Sequence, residues 1–365
     1  MDNAQNQFKR SLLYYPTIRI PSGQWLKQAI LYWDEVGSIV PQEYGGNWLV
    51  EKSRDLEYLV GEGLFHPFDP RQVSYDGQVA SEMTQEIKTI VKSPLFKKSL
   101  SSRKIRTYPS RIHLDKTWDE IIDFLIKKKL VRKESPDGTI EPEWLYFENS
   151  TALIYMSLLA KHLARKDNRN VITLPGTDRY EYQYLSFLKN PGMEEEIGIE
   201  VKIRNWLPIP NPDVPIQEIV TFKRQRQDEL LPLQLLMLDF EQKLKNAESI
   251  DHAKEITNRF DLDKRIGINN LKKSLIDSGL ETGWGSLNTL MGVTPAPLVG
   301  FLSSKIAELA HIGDPLAVGV IGFSLSAFVG LQAYQVSRQN VMNEKLRNSP
   351  YSYFLHAEQE SIILG

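Results

Sequence analysis

The sequence predicts an α+β protein: a mixed α/β N-terminal domain with a winged-helix-like hairpin unit over residues 1–207, then an all-helical C-terminal domain over residues 208–365. Three observations carry that prediction. Strand-like runs rich in branched and aromatic residues are confined to the first part, as in LLYYPTIRI and the strictly alternating IGIEVKIRN, and such runs fit a pleated, half-buried surface. The stretch NWLPIPNPDVP places four prolines in eleven residues with no regular period, which marks a boundary. Beyond it only helical periods remain. Two of the later segments, Thr282 to Ser304 and Pro315 to Ser337, each run 23 residues without a Lys, Arg, Asp or Glu in a chain that is 25% charged.

Taken in order, Leu12 to Ile20 reads as a strand that stops at Pro21. Ser22 is placed to cap a helix in which Trp25, Ala29, Ile30, Trp33 and Val36 recur near helical spacing, and Pro41 ends it. A short helix from Arg54 to Val60 leads into GLFHPFDP, whose prolines impose extended chain. A helical pattern from Met83 to Val91 stops at Pro94, and the basic KKSLSSRKIR after it reads as an exposed loop.

Between Lys116 and Glu148 come an amphipathic helix (WDEIIDFLIKKKL), a short strand (LVRKE), a turn (SPDGT) and a returning strand (EPEWLYFE). That is the outline of a winged-helix unit, with the hairpin tip at Asp137 and Gly138, because Pro-Asp-Gly supplies a fixed φ and a residue that tolerates positive φ. The next helix, TALIYMSLLAKHLARK, puts Leu153, Met156, Leu159 and Leu163 on one face. Val171 to Leu174 then reads as a strand, with Thr177 or Asp178 capping a following helix. After the proline-rich boundary, Ile216 opens a long helix that Pro232 should kink. Its second part, LPLQLLMLDFEQKL, is apolar around most of its circumference, and Ile250 to Gly279 supplies one or two further amphipathic helices.

Four stretches, LLYYPTIRIPSGQWLKQAILYWDEVGSIVP, WLYFENSTALIYMSLLAKHLA, IVTFKRQRQDELLPLQ and RNSPYSYFLHAEQE, together resemble an uncharacterised bacterial domain-of-unknown-function family. The resemblance implies a shared architecture and a bacterial origin, and proteins similar to it fit phage-defence or toxin-like settings. It implies no reaction or ligand.

Composition narrows the function classes. With 44 basic against 46 acidic residues the net charge is −2, so no global field draws the chain to nucleic acid or anionic lipid. There is no cysteine, hence no disulfide, thiolate metal site or cysteine nucleophile. The opening MDNAQNQFKRSLLYYP lacks a basic segment followed by a long apolar one and reads as unexported. The expected location is cytoplasmic, with conditional or peripheral association with the inner membrane as the variant. None of the patterns GxxxxGK(S/T), GxGxxG or GxSxG occurs, and the six histidines contain no pair spaced by three or four. No cofactor and no metal are expected, and the leaning is away from an enzyme. An enzyme of nuclease type could be built only on Asp239, Glu241 and Lys243, which fall in a helix-period segment where residues two apart diverge.

Three residue sets remain as candidates. In the segment from Phe222 to Leu230, Arg224, Arg226, Asp228 and Glu229 form either a solvated ion-pair face or a clamp to the N-terminal domain. Lys127, Lys128, Lys129 and Lys133 could touch phosphate, but no clear recognition helix accompanies them, which speaks against a nucleic-acid partner. In the apolar hairpin of residues 282–337, Gly322, Ser326 and Gly330 repeat every four residues and make a flat packing stripe beside Phe323 and Phe328. Asp314 and Pro315 suit a helix start, and 23 residues extend about 34 Å, enough for a hydrocarbon core of about 30 Å. The glycines, serines and glutamines make insertion marginal. Two readings stand: an interaction or effector protein whose hairpin is conditionally membrane-active, and a soluble scaffold in which the hairpin is core or an oligomer interface. Both call for a protein partner or a second copy.

Overall fold

The structure, a computed structural model, describes residues 9–15, 17–41, 53–101, 107–178, 203, 206–248, 250–277 and 349–363. Among these, four strands form a parallel sheet: β1 (Lys9–Tyr14), β2 (Glu35–Ile39), β3 (Phe65–Phe68) and β7 (Val171–Gly176), in the order β3-β2-β1-β7. A second sheet is antiparallel, with β4 (Ser110–His113), β6 (Trp144–Phe147) and β5 (Val131–Arg132) in the order β4-β6-β5. One parallel sheet, one antiparallel sheet and a helical C-terminal region make an α+β protein.

The parallel sheet is covered on both faces, as parallel sheets are. Alternation along β1 sends Leu12 and Tyr14 to one side and Leu13 and Tyr15 to the other. Leu12 and Tyr14 join Val36 and Leu174 in a core with α1 (Gln24–Tyr32) and the C-terminal helices α8 (Ile216–Gln225), α9 (Gln227–Lys245), α10 (Ile250–Asp277) and α11 (Ser352–Gln359). Leu13 and Tyr15 join Ile39 and Phe68 in a second core. This one also takes in α4 (Gly77–Lys92), the antiparallel sheet and α7 (Asn149–Lys166). The sheet therefore separates two interiors, and the helical half packs on one of its faces. Pro67 and Pro175 lie on β3 and β7, the two edge strands, where a missing N–H leaves no gap in the ladder.

The winged unit forms as the sequence foresees. Helix α6 (Asp119–Lys127) leads through β5 and a turn into β6, and at the tip Gly138 has φ 87°, with its N–H donating to the Ser135 carbonyl at 3.0 Å. Trp144 lies half-buried at the base of the hairpin, with the Arg111 guanidinium 4.1 Å from its ring centroid.

Elsewhere the chain departs from its sequence pattern. Strand β1 ends at Tyr14, not Ile20, and helix α1 is capped at Gly23, while the Ser22 hydroxyl instead meets that of Ser53 at 3.0 Å. Helix α1 stops at Tyr32, so Val36 belongs to β2; the register Leu12↔Val36 shows that pairing with β1 claims it. In the basic stretch after Pro94, Lys97 to Ser101 lie in helix α5 (Pro94–Ser101). Helix α7 is buried on all sides from Ser150 to Ala164, not on one face, because the sheet, α4 and β4 surround it. The kink expected at Pro232 falls instead at Arg226 (φ −113°, ψ 25°). Breaking there puts Pro232 near the start of a new helix, where its missing N–H costs only the Asp228 carbonyl a partner. Of the alternating strand read over residues 197–204, Ile203 is helical and buried and the rest lies outside the described residues. So do the cap role of Thr177 or Asp178 in a following helix and the apolar hairpin 282–337.

A β-carbon added at Gly37 would stand 2.2 Å from the His66 carbonyl oxygen and 2.6 Å from the Phe68 ring. Only glycine lets β2 and β3 pair at that point. Gly37→Ala is expected to lower stability by about 3 kcal/mol, read as a shifted urea midpoint at unchanged slope.

Candidate functional site

The most unusual chemistry among the described residues gathers where α1 ends. A helix leaves its last carbonyls without internal partners, and here side chains from three other helices supply them. The Tyr353 hydroxyl on α11 donates to the Leu31 carbonyl at 2.9 Å. The Gln234 amide on α9 donates to the Tyr32 carbonyl at 3.2 Å and to Asp34 Oδ1 at 3.3 Å. The Lys223 ammonium on α8 donates to the Trp33 carbonyl at 2.7 Å and the Asp34 carbonyl at 3.2 Å. A cation at this end also meets the negative pole of the helix dipole.

Beside this cap lies a buried ion pair. Arg10 shares a face of β1 with Leu12 and Tyr14, so alternation carries its guanidinium into the core. It is 0% exposed and donates to Glu241 Oε2 at 2.7 Å. Lys245 meets the other oxygen of Glu241, also at 2.7 Å, and the Arg10 backbone N–H donates to Asp34 Oδ2 at 2.7 Å. Burial pulls Arg10 down from its ordinary pKa, with Glu241 and Asp34 opposing. Burial also brings the Lys223 amine down to about 8, Asp34 opposing. The charged ends at this junction all hold partners, while Arg10 Nε and Trp33 Nε1 are buried without one, and the pairing makes it a fixed joint between sheet and helices.

The charged residues singled out in the sequence lie on the rim of this joint. Arg226 reaches Glu360, just past the end of α11, at 2.8 Å and Glu229 at 3.5 Å, and His356 approaches Glu229 at 3.6 Å. Burial raises Glu229 and lowers His356. Arg224 pairs with Glu62 at the end of α2 (Arg54–Gly61) at 2.5 Å, and Asp228 is exposed. The group that enters the core is Lys223, one residue earlier. The signals for it and for Arg10 were present: Lys223 falls in register with Ile219 on the buried face of α8, and Arg10 alternates with Leu12.

The carboxylate–lysine set at 239–243 does not assemble. Asp239 pairs with Lys243 on an exposed face at 2.7 Å, while Glu241 turns inward to Arg10. Among the described residues no three His, Cys, Asp or Glu side chains are grouped to hold a metal ion. Lys127, Lys128, Lys129 and Lys133 are exposed at the end of α6 and the base of the hairpin. The same helix and hairpin also carry Asp119, Glu120 and Asp123, and Glu134, Asp137 and Glu141, so the unit as a whole is not basic. Gly322, Phe323, Ser326, Phe328 and Gly330 lie outside the described residues. Among those described, no helix is long and apolar enough to cross a membrane.

The joint and its rim should separate in stability measurements. Arg10→Met is expected to cost about 3–5 kcal/mol by leaving Glu241 short of a partner, and adding Glu241→Leu should restore most of it. Arg226→Ala, at a side chain 32% exposed, should cost about 1 kcal/mol or less. Chemical denaturation of the single and double variants checks both. Lys223 supplies a pH dependence. Between about 8 and 10.5 the unfolded chain holds the proton that the native amine has released, so stability rises with pH through that window. In denaturation curves across it, Lys223→Met should remove up to about 1.4 kcal/mol per pH unit of that rise.

No curated protein and no solved structure matches the chain. One family model does, over residues 119–361, from the first helix of the winged unit through α11. That span covers about two thirds of the sequence and includes the elements that cap and clamp α1. The chain belongs to this family, described as a family of unknown function (DUF6236).

Proposed function

We propose that the protein is a non-enzymatic bacterial effector or interaction protein, of the phage-defence or toxin-like kind, whose working part is the apolar stretch 282–337. In this reading the stretch rests within the protein until triggered, then engages the membrane. The supporting observation is how its two ends are held. Residues 278–348 contain both uncharged runs. The chain leaves from α10 and returns to α11, and these two helices meet in one core: a β-carbon at Gly267 would stand 2.3 Å from the Tyr351 ring. Tyr353, Phe354, Leu355 and Ala357 are all buried in that core. Such anchorage holds a segment at both ends while leaving the body intact when the segment moves.

A second reading, a soluble scaffold or homo-oligomer, draws on a separate observation. Leu231 and Leu235 on α9 and Leu262 and Ile266 on α10 are exposed, at 40%, 49%, 57% and 50%. Paired apolar residues one turn apart on a surface suit a partner helix.

Expression in bacteria with fractionation and membrane-potential recording tests the first reading. The intact chain, with its partners or trigger present, is expected to move to the membrane fraction and lower the potential, and Ala327→Asp or Phe328→Asp should stay folded and soluble without doing so. An intact chain that remains soluble and harmless under all conditions, with Asp variants that merely unfold, would leave the scaffold reading in its place.

A further inference from the structure

In the order β3-β2-β1-β7, the chain passes from β1 toward β2 and β3 on one side and reaches β7 on the other only after the winged unit and α7. Open parallel sheets bind ligands outside the carboxyl ends of the strands where the order reverses, and here that place is between β1 and β7. Three features of the residues there point to what would bind.

First, α1 begins directly behind β1, and its N-cap is Gly23, with no side-chain cap and no acidic residue in the first turn. Gly23 has no side chain to accept from its leading N–H groups, and the connecting residues 15–23 carry Arg19 and no acid. Such a helix end attracts anions. Second, Trp25 in that first turn is 6% exposed and its indole N–H has no hydrogen-bond partner. The ring lies 4.9 Å from that of Tyr14. Its Cζ2, on the N–H side of the indole, would be 3.2 Å from a β-carbon at Gly176, so the N–H edge faces the ends of β1 and β7. A buried donor of this kind calls for an acceptor. Third, the Tyr14 hydroxyl donates to Asp178 Oδ1 at 2.8 Å. This fixes a carboxylate two residues past β7 as an acceptor for hydroxyl groups.

We propose that this crevice binds a phosphate ester of a polyol, a sugar phosphate or a nucleotide, with the phosphate on the α1 N-terminus and the Trp25 N–H, and a hydroxyl on Asp178. The two ligand types share that chemistry and differ only in the base.

Calorimetric titration of the full chain with inorganic phosphate, ribose 5-phosphate and AMP tests it. Ribose 5-phosphate is expected to bind at least about tenfold more tightly than inorganic phosphate. Tighter binding still by AMP identifies a nucleotide, and equal binding a sugar phosphate. Gly23→Asp is the decisive variant. Gly23 has extended backbone (φ 169°) and nothing within 4 Å of an added β-carbon, so the new carboxylate can cap the helix and occupy the anion's place. It should keep or raise the melting temperature while weakening every phosphate ligand by about tenfold or more. Asp178→Asn should bring ribose 5-phosphate toward the affinity of inorganic phosphate and leave the latter unchanged. Absence of binding by all three compounds at millimolar concentration, or a Gly23→Asp protein that binds as well as the native chain, overturns the proposal.

Discussion

The fold depends on how the carbonyl end of α1 is satisfied. Nine residues of helix run into a strand across only Trp33 and Asp34, which leaves no room for a glycine cap or a solvated turn. The carbonyls of Leu31, Tyr32, Trp33 and Asp34 are therefore met from outside, by Tyr353, Gln234 and Lys223. Each donor belongs to a different C-terminal helix. A local requirement of the second structural element is thus met by residues about 190 to 320 positions away, and the helical half is fastened to the sheet by the polar groups that α1 cannot pair alone.

Charge inside this junction is tolerated because it is paired. Arg10, Glu241 and Lys245 form a short chain in which each ion contacts an opposite one, and the Arg10 backbone and Gln234 side chain share the Asp34 carboxylate. Such a set contributes less to net stability than an apolar filling of the same volume, but it admits few alternative arrangements. Registration of α9 against β1 is what it fixes. The exposed pairs at Arg224 and Arg226 add to the same alignment from the rim, where water weakens them.

Parts of this were legible in the sequence. The winged hairpin was, because Pro136-Asp137-Gly138 dictates its turn whatever surrounds it. The short parallel strand β2 beside β1 was harder. In EVGSI both faces are buried, so the alternation that announces a strand is missing, and Trp33 and Val36 fall three apart as if α1 continued. Only pairing with β1 decides the matter, and pairing is not a local property. Position 232 shows the same limit from the other side: proline predicts a disruption, and the chain meets it by restarting the helix six residues earlier. The segment Phe222 to Leu230 was singled out by its charge, but the residue in it that enters the core, Lys223, was not. Charge type alone does not distinguish Lys223 from Arg224 and Arg226, and what separates them is the 100° per residue that turns one toward Ile219 and the others toward the surface.

The two interiors divided by the sheet differ in when they can close. Among the described residues, the core lined by Leu13, Ile39, Met83, Phe147 and Leu163 uses none later than 163, so that part can close while the ribosome still holds the second half of the chain. The core on the opposite face draws on Tyr353, Phe354 and Ile363, and it stays open on one side until residues 351–363 emerge. During synthesis the nascent chain carries one finished interior and one apolar face awaiting its cover. Late contacts of this range slow folding and expose sticky surface to other molecules. Residues 349–363 thus close this second core, and a chain interrupted before them would leave it half-sealed and exposed to chaperones and proteases.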